Sequence, residues 1–271
     1  MNTKFGNAST LAGLLLATLL ATPAHADEIS EKGRVIFNEH RTAVVTIQVV
    51  LKNKVTMSGR AAQARESRQD VSGTVIDPSG LTVVSLSSVD PSSLVQALMS
   101  EDVKMESELA DVKILTEDGG EIPAEVVLRD KDLDMAFLRP KAKPEKPMTS
   151  VDAKDSGKAE VLDVVIALNR LGNAAGRAYS ASVERISGIV SRPRMFYIPD
   201  ANMTTSGLGC PAFTLDGKFL GVLVTRAIRG DNSGGGSSLN AQSGNFTGII
   251  LPASEVLKAA AQVPAVGVEK K

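Results

Sequence analysis

Few residues of this chain can carry covalent chemistry. Cys210 is the single cysteine of the 271-residue sequence, and it stands in the run Ser206-Gly207-Leu208-Gly209-Cys210-Pro211. A cysteine thiolate is a nucleophile that needs little help from a base, so Cys210 is a candidate for acyl transfer. The alternative is a buried thiol that packs as a small apolar group.

The first 26 residues are typical of a cleavable secretory signal peptide. Lys4 precedes an apolar stretch over residues 11–20, and the triplet Ala24-His25-Ala26 has small residues at both ends, as signal cleavage sites do. The apolar stretch is well short of the about 20 residues needed to cross a bilayer. We therefore expect a mature chain that begins near Asp27, is periplasmic or secreted, and has no stable membrane span.

Composition excludes several kinds of site and partner. Once the leader is removed, His40 is the remaining histidine, so a metal site with two histidine ligands is excluded, and no acidic cluster has ligand-like spacing. The net charge is −1, and the sequence has no sustained basic stretch. We therefore expect neither nucleic acid nor an anionic membrane as a partner. We expect no metal and no cofactor, and His40 is expected at the surface before the first strand.

The elements that must position these residues are short strands rich in β-branched side chains. Turn sequences such as Asp77-Pro78-Ser79-Gly80 separate them. The predicted strands cover residues 43–51, 72–76, 81–86, 112–115, 124–129, 135–138, 161–168, 181–190, 213–215, 219–225 and 246–251. Nothing alternates as βαβ units would, so the pattern indicates antiparallel barrels.

The segments between the strands complete the prediction. Residues 52–70 are polar and predict a solvated loop, residues 92–108 a short amphipathic helix, and the glycine- and serine-rich residues 230–244 a mobile loop. A closing helix is expected over 254–262, with Ser254 as its N-cap. The lysine- and proline-rich residues 141–147 divide the chain, which gives an N-terminal barrel over 27–145, a C-terminal barrel with the closing helix over 146–262, and a tail over 263–271.

The order of these motifs resembles the HtrA/Deg branch of trypsin-like serine proteases over nearly the whole mature chain. The matching segments are residues 72–89, 118–138, 163–169, 187–191, 200–211 and 248–254. The resemblance implies an all-β, trypsin/chymotrypsin-like fold of two six-stranded antiparallel β-barrels with short helices. Because the tail is short, we expect no PDZ domain, the peptide-binding module usual in that family.

The resemblance also assigns the family's catalytic triad to three positions of this chain. The histidine position falls on Ser87, Asp134 keeps the aspartate, and Leu208 stands where the nucleophilic serine would be. A serine cannot act as a base at neutral pH and a leucine has no nucleophilic atom. We therefore expect no ordinary serine-protease turnover.

Two further expectations concern the surroundings of the lost triad. Without an imidazole, Asp134 is expected to bind backbone amides or hydroxyls such as those of Ser87 and Ser88. By resemblance, Ser206 and Gly207 fall in the oxyanion loop.

Peptide binding does not depend on the triad. Substrates of the family add as an antiparallel strand along the segment that corresponds to Val224, Thr225 and Arg226. The preferred hypothesis is an exported pseudoprotease that binds polypeptide or regulates a partner protein. Two alternatives stay open: an active endopeptidase whose nucleophile is Cys210, and a structural subunit of a homo-oligomer.

Overall fold

The computed structural model describes residues 25–57, 60–61, 64–98, 103–200, 207–227 and 246–265. The strands are β1 Val44–Met57, β2 Arg60–Ala61, β3 Arg65–Val75, β4 Thr82–Ser85, β5 Val103–Leu115, β6 Glu121–Asp130, β7 Met135–Pro140, β8 Val164–Arg170, β9 Tyr179–Val190, β10 Phe196–Pro199, β11 Pro211–Thr214, β12 Phe219–Ala227 and β13 Phe246–Pro252. The helices are α1 His25–His40, α2 Leu86–Val89, α3 Ser92–Leu98 and α4 Ala253–Ala260. The predicted signal peptide, residues 1–26, lies outside the described residues except for its last two positions. Residues 230–244 lie wholly outside them.

The first barrel is built from six antiparallel strands in the order β1-β3-β4-β7-β6-β5, and it closes because β1 also pairs with β5. Alternate residues of a strand point to opposite faces, so Val45, Ile47 and Val49 of β1 fill the interior. Val84 and Leu138 meet them from β4 and β7. This core is aliphatic throughout.

The second barrel closes in the order β10-β13-β12-β11-β8-β9. Its interior contains Val165, Tyr197, Leu223 and Ile250, each at most 2% exposed. The two closed antiparallel barrels with few short helices confirm the predicted fold class. The chain therefore has two closed barrels between which a cleft can form.

A third apolar cluster joins the barrels and the outer helices. Val44 of β1 and Phe137 of β7 pack with Ile166 of β8 and Val224 of β12, and α4 contributes Val256. The site described below lies at one edge of this apolar interface.

Helix α1 was not predicted, and it packs against β8 and β9 of the second barrel. Its last residue, His40, stacks on Phe213 of β11 with the ring centroids 4.5 Å apart. Its side chain is 18% exposed, so the expected surface histidine is wrong. Burial lowers the pKa of His40 below its ordinary value, against smaller opposing effects of Glu39 and a hydrogen bond with the Gly217 backbone.

Residues 52–70 were wrongly predicted as a solvated loop. Strand β1 continues to Met57 and β3 begins at Arg65, and both extend beyond the barrel together with β5. The predicted helix over 92–108 is limited to α3, which lies against β5 and β12, because β5 already begins at Val103. We call the extension of β1, β3 and β5 the arm.

Two smaller expectations have different outcomes. The turn at residues 77–80 is confirmed, since the Gly80 amide donates to the Asp77 carbonyl at 2.9 Å. Ser254 is not an N-cap, because α4 begins at Ala253 after Pro252 and no side chain caps it. Strand β10 was not predicted.

None of the helices in the described ranges is long and apolar enough to cross a membrane.

Candidate functional site

Asp134 lies in the turn that leads into β7, at the junction of the two barrels. Its backbone has a φ of +52°, a left-handed conformation that aspartate tolerates better than most residues. Its carbonyl accepts the amide of Leu86 at 2.8 Å, which ties the turn to the start of α2. This geometry directs the Asp134 side chain toward α2 and the second barrel.

The Asp134 carboxylate accepts five hydrogen bonds. Oδ1 accepts the Ser87 amide at 2.7 Å, while Oδ2 accepts the hydroxyls of Ser85 at 2.6 Å and Ser87 at 3.1 Å. Oδ2 also accepts the amide of Thr225 at 2.8 Å and its hydroxyl at 2.7 Å. Four of the five donors fall on Oδ2, which has two lone pairs, so Oδ2 is saturated while Oδ1 keeps one accepting site.

Ser87, at the predicted histidine position, lies on the single turn of α2. Its hydroxyl is 2.8 Å from that of Ser85 and 3.4 Å from that of Thr225. Hydroxyl groups thus surround the carboxylate, as expected for an aspartate without an imidazole partner. Of the two serines named in that expectation, Ser87 binds Asp134, whereas the Ser88 carbonyl accepts the side chain of Gln69 at 2.9 Å.

Leu208 lies half-buried at the tip of the loop that precedes β11. The next residue, Gly209, has a φ of +86°, and its amide donates to the Leu223 carbonyl at 2.8 Å. Its carbonyl accepts the hydroxyl of Thr74 in the first barrel at 2.7 Å. The loop is therefore bonded to both barrels. Ser206 lies outside the described residues, and the Gly207 carbonyl accepts the Cys210 amide at 3.1 Å.

Cys210 is 1% exposed and its thiol donates to Asn169 Oδ1 at 3.0 Å. Burial raises the pKa of Cys210 to about 12, against smaller opposing effects of hydrogen bonds with Ser72 and the Arg170 backbone. The thiolate is then a fraction on the order of 10⁻⁵ of the molecules at pH 7. Within the described ranges, the groups that bond to Cys210 are an amide, a hydroxyl and backbone, and none of these is a base that could activate it.

Sequence reasoning missed the polar contacts that join the barrels around this loop. Ser72 Oγ donates to Asn169 Oδ1 at 2.9 Å, across a separation of 97 residues. Arg177 Nε donates to Asp70 Oδ2 at 2.7 Å, 107 residues away. No local pattern signals such pairs, since each partner alone is an ordinary strand or turn residue.

The predicted peptide-binding segment is the far half of β12. Val224 and Thr225 are buried, at 0% and 6% exposure, and Arg226 lies with its guanidinium 5.2 Å from the Phe196 ring centroid. The Leu223 amide and carbonyl bind Cys210 and Gly209, and the Thr225 amide binds Asp134. Since alternate residues face the same strand edge, the Thr225 carbonyl and the Ala227 amide point away from β13 on this edge.

The comparisons with known proteins concern the fold alone. No family model matches the sequence, and the curated proteins contain no significant match. Among solved structures, the apo MamO protease domain from Magnetospirillum magneticum matches with a TM-score of 0.51 and 16% sequence identity. The alignment covers 82% of this chain and 97% of that domain. Together with the two closed barrels, this similarity shows that the chain has a trypsin-like, chymotrypsin-type protease fold.

Proposed function

We propose that this chain is an exported, HtrA/Deg-like protease homologue without catalytic activity, which binds polypeptide in extended form along β12. The observation that carries the proposal is that hydroxyl and amide groups donate to the Asp134 carboxylate, and that Leu208 lies on the adjacent loop. Acyl transfer needs a nucleophile and a base. Ser87 supplies no base, and Leu208 supplies no nucleophilic atom.

The enzyme alternative based on Cys210 has little support. A thiol with a pKa of about 12 and 1% exposure is neither ionised nor reachable by a peptide carbonyl. Catalytic cysteines instead lie in exposed surroundings that lower their pKa.

Backbone groups on the edge of β12 support polypeptide binding. Strand addition uses main-chain N–H and C=O groups, and the Thr225 carbonyl and Ala227 amide have the orientation that it requires. The Thr225 amide contributes nothing to a peptide, because Asp134 already accepts it at 2.8 Å. The peptide would therefore bind backbone groups of β12 and not the side chains at the triad positions.

The test uses unfolded, fluorescein-labelled casein with the purified mature chain. We expect no cleavage above the buffer rate, and we expect slower hydrogen exchange in β12 when casein is bound. Strand β10, which is paired on both sides, is the internal control and should not change. Cleavage that is lost on substitution of Asp134 or Leu208, or unchanged exchange in β12 at saturating casein, would refute the proposal.

A further inference from the structure

A pocket of about 160 Å³ lies between the barrels next to Leu208. The first barrel lines it with Thr46, Asp70 and Val71, and the second with Leu171 in the turn after β8. One water molecule occupies about 30 Å³ in the liquid. This inter-barrel pocket is thus larger than a single structural water requires.

The charged residues in the lining already have partners. Asp70 is 13% exposed and accepts Arg177 Nε at 2.7 Å. Arg170 donates its Nε to the Arg177 carbonyl at 2.9 Å, and its guanidinium lies 4.2 Å from the Tyr179 ring centroid. A cationic ligand would have to be desolvated without a free carboxylate to receive it, because Asp70 is already paired with Arg177. An anionic ligand would compete with the Arg177 carbonyl and the Tyr179 ring for the Arg170 guanidinium. The lining therefore favours a neutral group.

One neutral group in the lining has no partner. Thr46 is 2% exposed, and its Oγ1 is buried with no hydrogen-bond partner among the described residues. A buried hydroxyl without a partner costs free energy until a ligand or water supplies one. Val71, Leu171 and Leu208 add apolar surface beside it. The pocket thus combines one buried hydroxyl, unpaired within the described ranges and beside the hydroxyls of Ser72 and Ser88, with a wall suited to methylene groups.

We propose that the inter-barrel pocket binds the carboxamide side chain of an asparagine or glutamine in a polypeptide that lies along β12, with Thr46 as its hydrogen-bond partner. This inference rests on the proposed function. Leu208 lines the pocket and is followed by Gly209, which is bonded to Leu223 of β12. Ser88 also lines it and follows Ser87, whose hydroxyl is 3.4 Å from that of Thr225. A chain leaving Thr225 past Leu208 therefore reaches this pocket.

The test is a set of eleven-residue, alanine-rich peptides that carry Asn, Val, Asp or Lys at each position in turn, with affinity measured by fluorescence anisotropy. At one position we expect Asn to bind about five- to tenfold more tightly than Val, the gain of one net hydrogen bond. Asp and Lys should give no such gain. Thr46→Val should reduce the Asn-to-Val ratio to about one, and Thr46→Ser should keep it. Thr56→Val, the same substitution further along β1, is the matched control and should also keep it.

The outcomes separate this inference from the proposed function. Peptides that bind with equal affinity for Asn and Val at every position, or an Asn preference that survives in Thr46→Val, overturn the inference and leave the proposed function standing. If no peptide binds, the proposed function fails. Propionamide is then titrated into the protein while the Thr46 methyl NMR signal is followed, and a shift of that signal identifies a free amide as the ligand in place of a polypeptide. An unchanged signal in that titration overturns the pocket's chemistry as well. Thr46→Ala is the second variant that removes the hydroxyl if Thr46→Val does not fold.

Discussion

At the scale of single residues, burial decides the chemistry of Cys210. Its thiol has an ordinary pKa of 9.0 and a folded-state pKa of about 12, so the unfolded chain releases this proton at lower pH than the folded chain. The contribution of this pKa difference to the free energy of unfolding is complete below pH 9 and is lost as the pH rises toward 12. Between these values we expect stability to fall by about 1.4 kcal/mol for each pH unit because of this group.

The check on Cys210 is a comparison of the free energy of unfolding in urea between pH 7 and 10.5 with that of Cys210→Ser. Serine keeps a donor for Asn169 and does not titrate in this range. The effects of the other ionising groups on the free energy of unfolding therefore cancel in the difference between the two proteins. The difference between the two proteins should be constant below pH 9 and should shrink above it. Parallel curves throughout would mean that the folded thiol ionises as easily as the unfolded one, and would restore Cys210 as a possible nucleophile.

Asp134 allows a second prediction, because asparagine also tolerates a positive φ and so changes the hydrogen bonding and the charge without straining the backbone. In Asp134→Asn, an NH₂ group replaces one carboxylate oxygen and must face the hydroxyl and amide donors that now meet there. We expect a loss of about 2–4 kcal/mol, the cost of leaving buried donors unpaired. Urea unfolding measures it, with Asp132→Asn in the exposed preceding turn as the control. A loss equal to that of the control would show that the donor cluster contributes no stability.

The partners of these residues were only partly predictable. Amide and hydroxyl donors on Asp134, with Ser87 among them, were expected, because a carboxylate that has lost its imidazole still needs donors. The hydroxyls of Ser85 and Thr225 were not expected as donors to Asp134. Their positions depend on how the start of α2 and β12, which belong to different barrels, come together in the folded chain. Leu208 and Cys210 were visible as residue types, but the burial of the thiol follows from packing that no local pattern contains.

At the scale of elements, buried strands were predictable and half-exposed ones were not. The apolar runs of β4 and β12 are recognisable by their β-branched residues, and that of β7 by the consecutive apolar residues of its first four positions. The arm instead alternates, and in β5 the residues of Val103–Leu109 are half-buried and exposed in turn. That period of two was present in the sequence, but the polar Ser107 at one of the half-buried positions interrupts the apolar face. Strand β10 has only four residues and begins two residues after an Arg-Pro-Arg segment, so it gave no periodic signal.

Helix α1 had a usable signal. Ile29, Gly33, Ile36 and Phe37 fall at helical spacing, and Ile36 is 3% exposed against the second barrel. The spacing was overlooked because the segment directly follows the predicted leader and is otherwise polar. Stacking of His40 on Phe213 depends on where α1 docks, which only the tertiary structure determines.

At the scale of the whole molecule, the site joins the two barrels. Asp134 binds Thr225, Thr74 binds the Gly209 carbonyl, and Ser72 binds Asn169. Each contact connects the first barrel to the second, and each is independent of catalysis. A chain with Ser87 and Leu208 at these positions therefore has a physical reason to keep this geometry, because it fixes one barrel against the other.

Gly209 tests this coupling most directly. A Cβ at Gly209 would lie 2.3 Å from the Ser72 carbonyl oxygen, and the residue has a φ of +86°. Gly217 has nearly the same φ, +81°, with nothing within 4 Å of its Cβ position, so Gly217→Ala measures the conformational cost alone, about 1 kcal/mol. We expect Gly209→Ala to cost more than about 3 kcal/mol, since the clash is with backbone that cannot move without separating the barrels. Calorimetry should then resolve two transitions for Gly209→Ala and one for both wild type and Gly217→Ala. Equal losses in the two variants, or a single transition in all three proteins, would show that the barrels are held together without this loop.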